Sequence, residues 1–280
     1  MLEDAMTGIA GAALAGATIL SAMLSVLPAF AQTQQQIERC EDKGDAFPPD
    51  QEISGCTAVI QSGNGQPLSW AFANRCDAYN NKRDYDHALP DCNEAIRLHP
   101  KSPGAFTNRG DAYYGKKDYN HAIADYSQAM RLAPGNAIPV HDRGNAYFVT
   151  GNFTAAAADL LGANQLAERP YAMLWRFLAL GHLAQDGATE LRGNAARLTT
   201  RNWPYPVIEY YLGDRTLAHM RAAAGNPDDK CEAEFYAGEW QLVHGDSGDA
   251  RAALQTAVDT CPTYFNEYDA ALAELKRLKP

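Results

Sequence analysis

The chain repeats itself at a fixed interval. Residues 75–92, RCDAYNNKRDYDHALPDC, and residues 109–126, RGDAYYGKKDYNHAIADY, agree at ten of 18 positions, 34 residues apart. A further step of 34 reaches residues 143–160, RGNAYFVTGNFTAAAADL, which keeps Gly144, Tyr147 and Ala156 in register. A period of this length specifies stacked helical units, none of which buries its apolar side alone. In the middle copy Phe106, Gly110 and Tyr113 recur at helical spacing. The turn Lys116-Lys117-Asp118 interrupts them, and Ala122, Tyr126 and Ala129 mark a second helix that Pro134 closes. Small residues at Gly110 and Ala122 let the two backbones approach, and the tyrosines fill the space beside them.

Gly110, Tyr113, Ala122, Tyr126, Ala129 and Pro134 resemble the tetratricopeptide repeat family. The preceding copy has Phe72, Tyr79, Ala88, Ala95 and Pro100, with Cys76 and Cys92 replacing the small and aromatic core residues. The following copy has Gly144, Tyr147, Ala156 and Ala163, with Glu168 in place of the proline. The resemblance implies an all-α fold, a right-handed superhelical solenoid of antiparallel helix pairs. An N-terminal helical cap is expected over 32–66, three repeats over 67–170, and degenerate helical repeats over 171–230. A C-terminal repeat and a capping helix are expected over 231–280. In the degenerate part, 171–200 reads as two helices joined at Gln185-Asp186-Gly187, and 207–224 breaks at Gly213-Asp214. Asn226 to Asp229 reads as a turn. Gly238, Ala250, Leu254, Ala257 and Pro262 then restore the register. A final helix over 264–278 carries Ala270, Leu272 and Leu275 inward and Glu274, Lys276 and Arg277 outward. The strings IEYYLG, CEAEFYAGEW and AVDTCPTYFNEYDAALAEL also resemble bacterial envelope repeat proteins, distantly the adaptor lipoprotein called new lipoprotein I. That resemblance implies a scaffold docking proteases or cell-wall hydrolases. The cysteine that would carry a lipid is missing.

Residues 7–31 are apolar and uncharged and end in Pro28-Ala29-Phe30-Ala31. The small residues Ala29 and Ala31 match a signal-peptidase site, so residues 1–31 read as a signal peptide. Glu3 and Asp4 stand where a signal peptide carries positive charge, so the alternative is a retained N-terminal membrane anchor. All six cysteines follow Ala31. An even count in an exported chain suggests disulfides. Repeat register puts Cys76 where the next copy has Gly110 and Cys92 where it has Tyr126. These positions face each other across one helical hairpin, whose second helix Pro90 weakens. Cys231 and Cys261 bracket the last repeat, and Cys40 and Cys56 lie in the cap. The expected pairs are therefore 40–56, 76–92 and 231–261. Buried free thiols, or a zinc site using His87, are the alternatives. His87 recurs as His121 in a copy without cysteine, which speaks for a position set by the repeat.

The net charge of −10 repels phosphate backbones, so nucleic acid is not an expected partner. No H-E-x-x-H, G-x-S-x-G or phosphate-cradling loop is present, and Gly245 to Asp249 reads as an inter-helix turn. The chain is expected to be no enzyme and to need no metal and no cofactor. In the family the first helices line a concave groove. Here they offer Trp70, Asn74, Asp77, Asn108, Asp111, Tyr114, His141, Asp142, Asn145 and Phe148, with Trp70, Tyr114 and Phe148 as aromatic anchors for an extended peptide. The reading is an exported adaptor, in the periplasm or secreted, that binds a protein or peptide. A membrane is involved only if residues 7–31 stay attached. The alternative is an envelope protein that binds or processes cell-wall glycan. N-terminal sequencing of the exported protein is expected to begin at Gln32; a start within residues 1–6 would establish the anchor instead.

Overall fold

A computed structural model describes residues 34–41, 46–63, 68–167 and 169–278. The expected signal segment, 1–31, lies outside them. The described residues are helical, with no strand among them and no helix long and apolar enough to cross a membrane. The chain divides into two compact units, Met1–Pro100 and Lys101–Pro280.

The first unit holds α1 (34–41), α2 (Pro49–Ser62), α3 (Ser69–Asn81) and α4 (Tyr85–Leu98). The second begins with α5 (Pro103–Gly115), α6 (Tyr119–Leu132), α7 (Ala137–Val149) and α8 (Phe153–Leu166). It continues through α9 (Pro170–His182), α10 (Ala188–Ala195), α11 (Tyr205–Tyr211) and α12 (Leu217–Ala223). It ends with α13 (Pro227–Val243), α14 (Ser247–Thr260) and α15 (Asn266–Arg277). The turn expected at Asn226 to Asp229 is the cap and first turn of α13, because the Asn226 side chain accepts from the Asp229 amide.

Local chemistry starts each second helix. Asp84, Asp118, Asn152 and Asp246 cap α4, α6, α8 and α14 through their side chains. His87 and His121 turn back to the same carboxylates, at 2.8 Å from Asp84 and 2.7 Å from Asp118. They also stack on Tyr79 and Tyr113, so the recurring histidine belongs to the repeat. Pro90 lies exposed in α4, and the helix runs through it.

Within each pair, residues 16 apart meet across the hairpin. A Cβ added at Gly110 would stand 2.6 Å from the Tyr126 ring; at Gly144, 2.9 Å from Leu160; at Gly238, 2.7 Å from Leu254. Only a hydrogen fits beneath these side chains. In the first copy the same two positions are Cys76 and Cys92, joined by a disulfide with Cα atoms 5.4 Å apart. Cys40–Cys56 joins α1 to α2 at the same separation of 16, and Cys231–Cys261 ties the start of α13 to the end of α14.

One residue before each contact stands an arginine clamp that the sequence reading did not foresee. Arg75, Arg109 and Arg143 each hold the aspartate 16 residues on, Asp91, Asp125 and Asp159, by two parallel hydrogen bonds of 2.7–2.8 Å. Arg75 also donates to Thr57 on α2, and Arg143 to Ser127 on α6, so the third arm reaches the preceding helix. The degenerate pair α9–α10 keeps the device as Arg176 and Glu190. In α13–α14 the two positions are Ala237 and Ala253. The second unit's core lies between the pairs and contains Phe148, Leu160, Trp175, Leu178, Ile208, Phe235 and Tyr236.

Asp125 is 8% exposed and Arg109 22%. Asp125→Ala leaves a half-buried guanidinium without its fork and is expected to lower unfolding free energy by about 2 kcal/mol. Urea denaturation measures it, and an unchanged midpoint would reduce the clamp to an ordinary surface pair.

Candidate functional site

The last helix packs against α14 at the end of the stack, and it reaches further than a cap alone would. It lies over the face made by the first helices of the second unit. Asp269 meets Lys117 at the end of α5, with Nζ 2.5 and 2.6 Å from its two oxygens. Arg277 donates to the Val149 carbonyl at the end of α7, 2.5 Å away, and pairs with Glu274. His182, at the end of α9, lies 3.8 Å from Glu274. Tyr236 on α13 donates to Glu267 at 3.0 Å.

The orientation of α15 corrects the expectation. Glu267, Asp269, Ala270, Ala271 and Glu274 are buried, while Leu272 and Leu275 are only half-buried. Positions 267, 270, 271 and 274 form one helical stripe. Its alanines allow close approach, its two acids, Glu267 and Glu274, meet a tyrosine, a histidine and an arginine, and Asp269 beside it meets Lys117. The face beneath is polar at its edges, so a stripe with acids at both ends fits it better than the leucines do. Burial pushes the Glu267 and Asp269 carboxyls up, although the Lys117 ammonium pulls Asp269 the other way.

Beside the N-terminal end of α15 a cleft of about 620 Å³ stays open. Its walls are His141 from α7, Arg169 before α9, Tyr171 and Trp175 from α9, Glu232 from α13, and residues 264–267. Glu232 accepts from the Tyr171 hydroxyl at 3.1 Å and from the Trp203 indole at 2.7 Å. Burial, and the nearby Glu267 carboxylate, push Glu232 up to about 7. His141 Nε2 and Arg169 Nε are buried without a hydrogen-bond partner. Tyr264 stands at the rim, 46% exposed. The cleft therefore combines aromatic walls with two buried carboxyl groups, a setting for a cationic or hydroxyl-rich group.

The ten residues expected to line a groove are dispersed. In the first unit Trp70 packs on the small cluster of Cys40, Cys56, Val59 and Ala71, Asn74 donates to the Cys40 carbonyl, and Asp77 is half-buried. In the second unit Asn108 and Asp142 are half-buried. Asp111 accepts from the Tyr126 hydroxyl at 2.8 Å. Tyr114 packs edge-on against Tyr119, and burial, with Asp269 nearby, holds its hydroxyl well above the usual range. Asn145 is buried. Phe148 is no surface anchor: it is 0% exposed, packed against Phe153, Trp175 and His182. Of the ten, His141 reaches the cleft. The reading missed Arg169, Tyr171, Glu232 and Glu267. A signal existed for one of them: Glu232 and Glu239, seven residues apart, share the apolar stripe of α13 with Phe235 and Tyr236.

Residues 103–136 match the family model described as Tetratricopeptide repeat. A tetratricopeptide repeat protein from Parabacteroides merdae is similar in structure with a TM-score of 0.56. It is 15% identical, and the match covers 85% of this chain and 99% of that one. The C-terminal part of a TPR repeat-containing protein from Cytophaga hutchinsonii gives a TM-score of 0.51 at 15% identity, covering 79% of this chain and 94% of that one. At this identity the likeness is one of fold.

Glu232 keeps its proton to about pH 7 in the folded chain and releases it near pH 4.3, roughly, when unfolded. The folded state then binds more protons between those values, so its stability falls as pH rises through that window. Glu232→Gln is expected to flatten this decline in melting temperature. An unaltered slope would assign the titration to another group.

Proposed function

We propose, for a chain that belongs to the tetratricopeptide repeat proteins, that it is a scaffold binding a protein partner and not an enzyme. The observation that carries this reading is the seating of α15. The face of the first helices holds a helical segment of the chain through Lys117, Tyr236, His182 and the Val149 carbonyl, as it would hold a segment of another protein. The cleft at the end of that helix extends the surface. Its buried carboxyls and aromatic walls suit a lysine or arginine side chain of the partner, in keeping with a chain of net charge −10.

The finer reading is an exported adaptor in the bacterial envelope, periplasmic or secreted. Three disulfides support it, since such bonds persist in oxidising compartments. The groove residues Asn108, Asp111, Tyr114, His141 and Asp142 are proposed to meet the partner where α15 leaves them accessible. Trp70, Asn74 and Asp77 would do so in the first unit. The resemblance of the tail to adaptor lipoproteins belongs to the same reading.

A second reading, an envelope protein that binds or processes cell-wall glycan, draws on the cleft itself. Aromatic rings beside two carboxyl groups, one of them holding its proton to about pH 7, are suited to a sugar. Pull-down from envelope extract, run beside sedimentation with purified cell wall, separates the two. The scaffold is expected to capture a protein in the extract, and Glu232→Gln with Tyr171→Ala to weaken that capture about tenfold or more. Co-sedimentation with cell wall and no captured protein would overturn it in favour of the second.

A further inference from the structure

We propose that His182, Glu239 and Glu274 form a binding site for a divalent transition-metal ion of the zinc class, which pins α15 to α9 and α13. The three side chains come from three helices, and their donor atoms all lie within 4.8 Å of one another. His182 Nε2 stands 2.9 Å from Glu239 and 3.8 Å from Glu274. Donors on one tetrahedral zinc ion, at bond lengths near 2.1 Å, sit about 3.4 Å apart, between those two values. One nitrogen and two carboxylate oxygens leave a fourth position, for the second oxygen of Glu239.

The second observation is an unmet oxygen. Glu239 is 0% exposed; one of its oxygens faces His182, and the other, Oε1, has no hydrogen-bond partner. A fully buried carboxylate with half its acceptor capacity unused is costly, and the histidine alone leaves that half unanswered. A cation that takes both Glu239 oxygens, Oε2 beside His182 and the unmet Oε1, satisfies it.

The surroundings are those of a supported ligand set. The His182 ring lies flat against Phe153, 4.0 Å between centroids and 1° between planes, with Phe148 at its edge. This holds the imidazole on its axis and keeps water away. Arg277, fixed by the Val149 carbonyl, pairs with the same Glu274 oxygen that lies nearest His182, and so orients that carboxylate. Because Glu274 lies on α15, the ion would bridge the covering helix to the face beneath it. Metal would then keep α15 seated, and its removal would favour release of the face. The site stands independently of which partner the chain binds.

The test starts with full-length folded protein stripped with chelator and titrated calorimetrically with zinc chloride, with magnesium as control. The expected result is saturation at one zinc ion per chain and none with magnesium. Hydrogen exchange of residues 266–277 is expected to slow on saturation. Glu239→Gln and His182→Gln are expected to abolish saturable binding, and Arg277→Met to weaken it by roughly 10–100-fold, as loss of an outer support does. Circular dichroism checks that each variant is folded; if Glu239→Gln is not, Glu274→Gln takes its place. Three outcomes overturn the proposal: no saturable zinc binding by the wild type, binding undiminished in the folded ligand variants, or binding that leaves exchange of α15 unchanged.

Discussion

How closely two antiparallel helices can approach decides the architecture of the helix pairs. At Gly110, Gly144 and Gly238 a second-helix side chain sits where a Cβ would have to be. That contact fixes the distance and rotation of the pair. The residue just before it is then aimed along the hairpin, and in α5–α6 and α7–α8 it is an arginine whose fork meets an aspartate one residue before the partner side chain. A planar guanidinium suits this place because it bonds one carboxylate with two arms and has a third to offer elsewhere. Through Arg143 and Ser127 the third arm turns a rule within one pair into a rule between successive pairs. Where Ala237 and Ala253 replace the clamp, the lateral link ends, and the chain turns back as α15.

The seating of α15 differs in kind from the packing of the pairs. The pairs meet through alanine, glycine, leucine and aromatic surfaces, whose attraction is non-directional and hard to reverse locally. Helix α15 brings three buried carboxyl groups to the face it covers, each with its own donor or cation. Charges taken from water are held only as well as their partners hold them. The covering is therefore sensitive to ions and protons in a way that the core is not.

Much of this was readable in advance. The period of 34 placed the helices of the three clear repeats, and repeat register placed Cys76 opposite Cys92. The clamp was visible as identity, since Arg75 and Arg109, and Asp91 and Asp125, all recur. Charged residues at a helix surface ordinarily face water, so identity alone did not reveal that they face each other. The inward side of α15 was misread because leucine spacing was taken for burial, whereas the face awaiting it was polar. The cleft lay beyond reading along the chain, because Glu232 and Glu267 are brought together only by the return of α15. Phe148 was misplaced because its cover comes from later in the chain: Phe153 begins α8, and Trp175 and His182 both lie on α9.

The bond between Lys117 and Asp269 spans 152 residues, while the bonds of each clamp span 16. Short loops close at small entropic cost, so the hairpins can form as soon as their own residues are free to fold. The covering helix has no face to settle on until the hairpins from α5 to α13 are in place. The second unit thus assembles in a set order, with an interval in which its face is built and still uncovered, open to whatever is nearby.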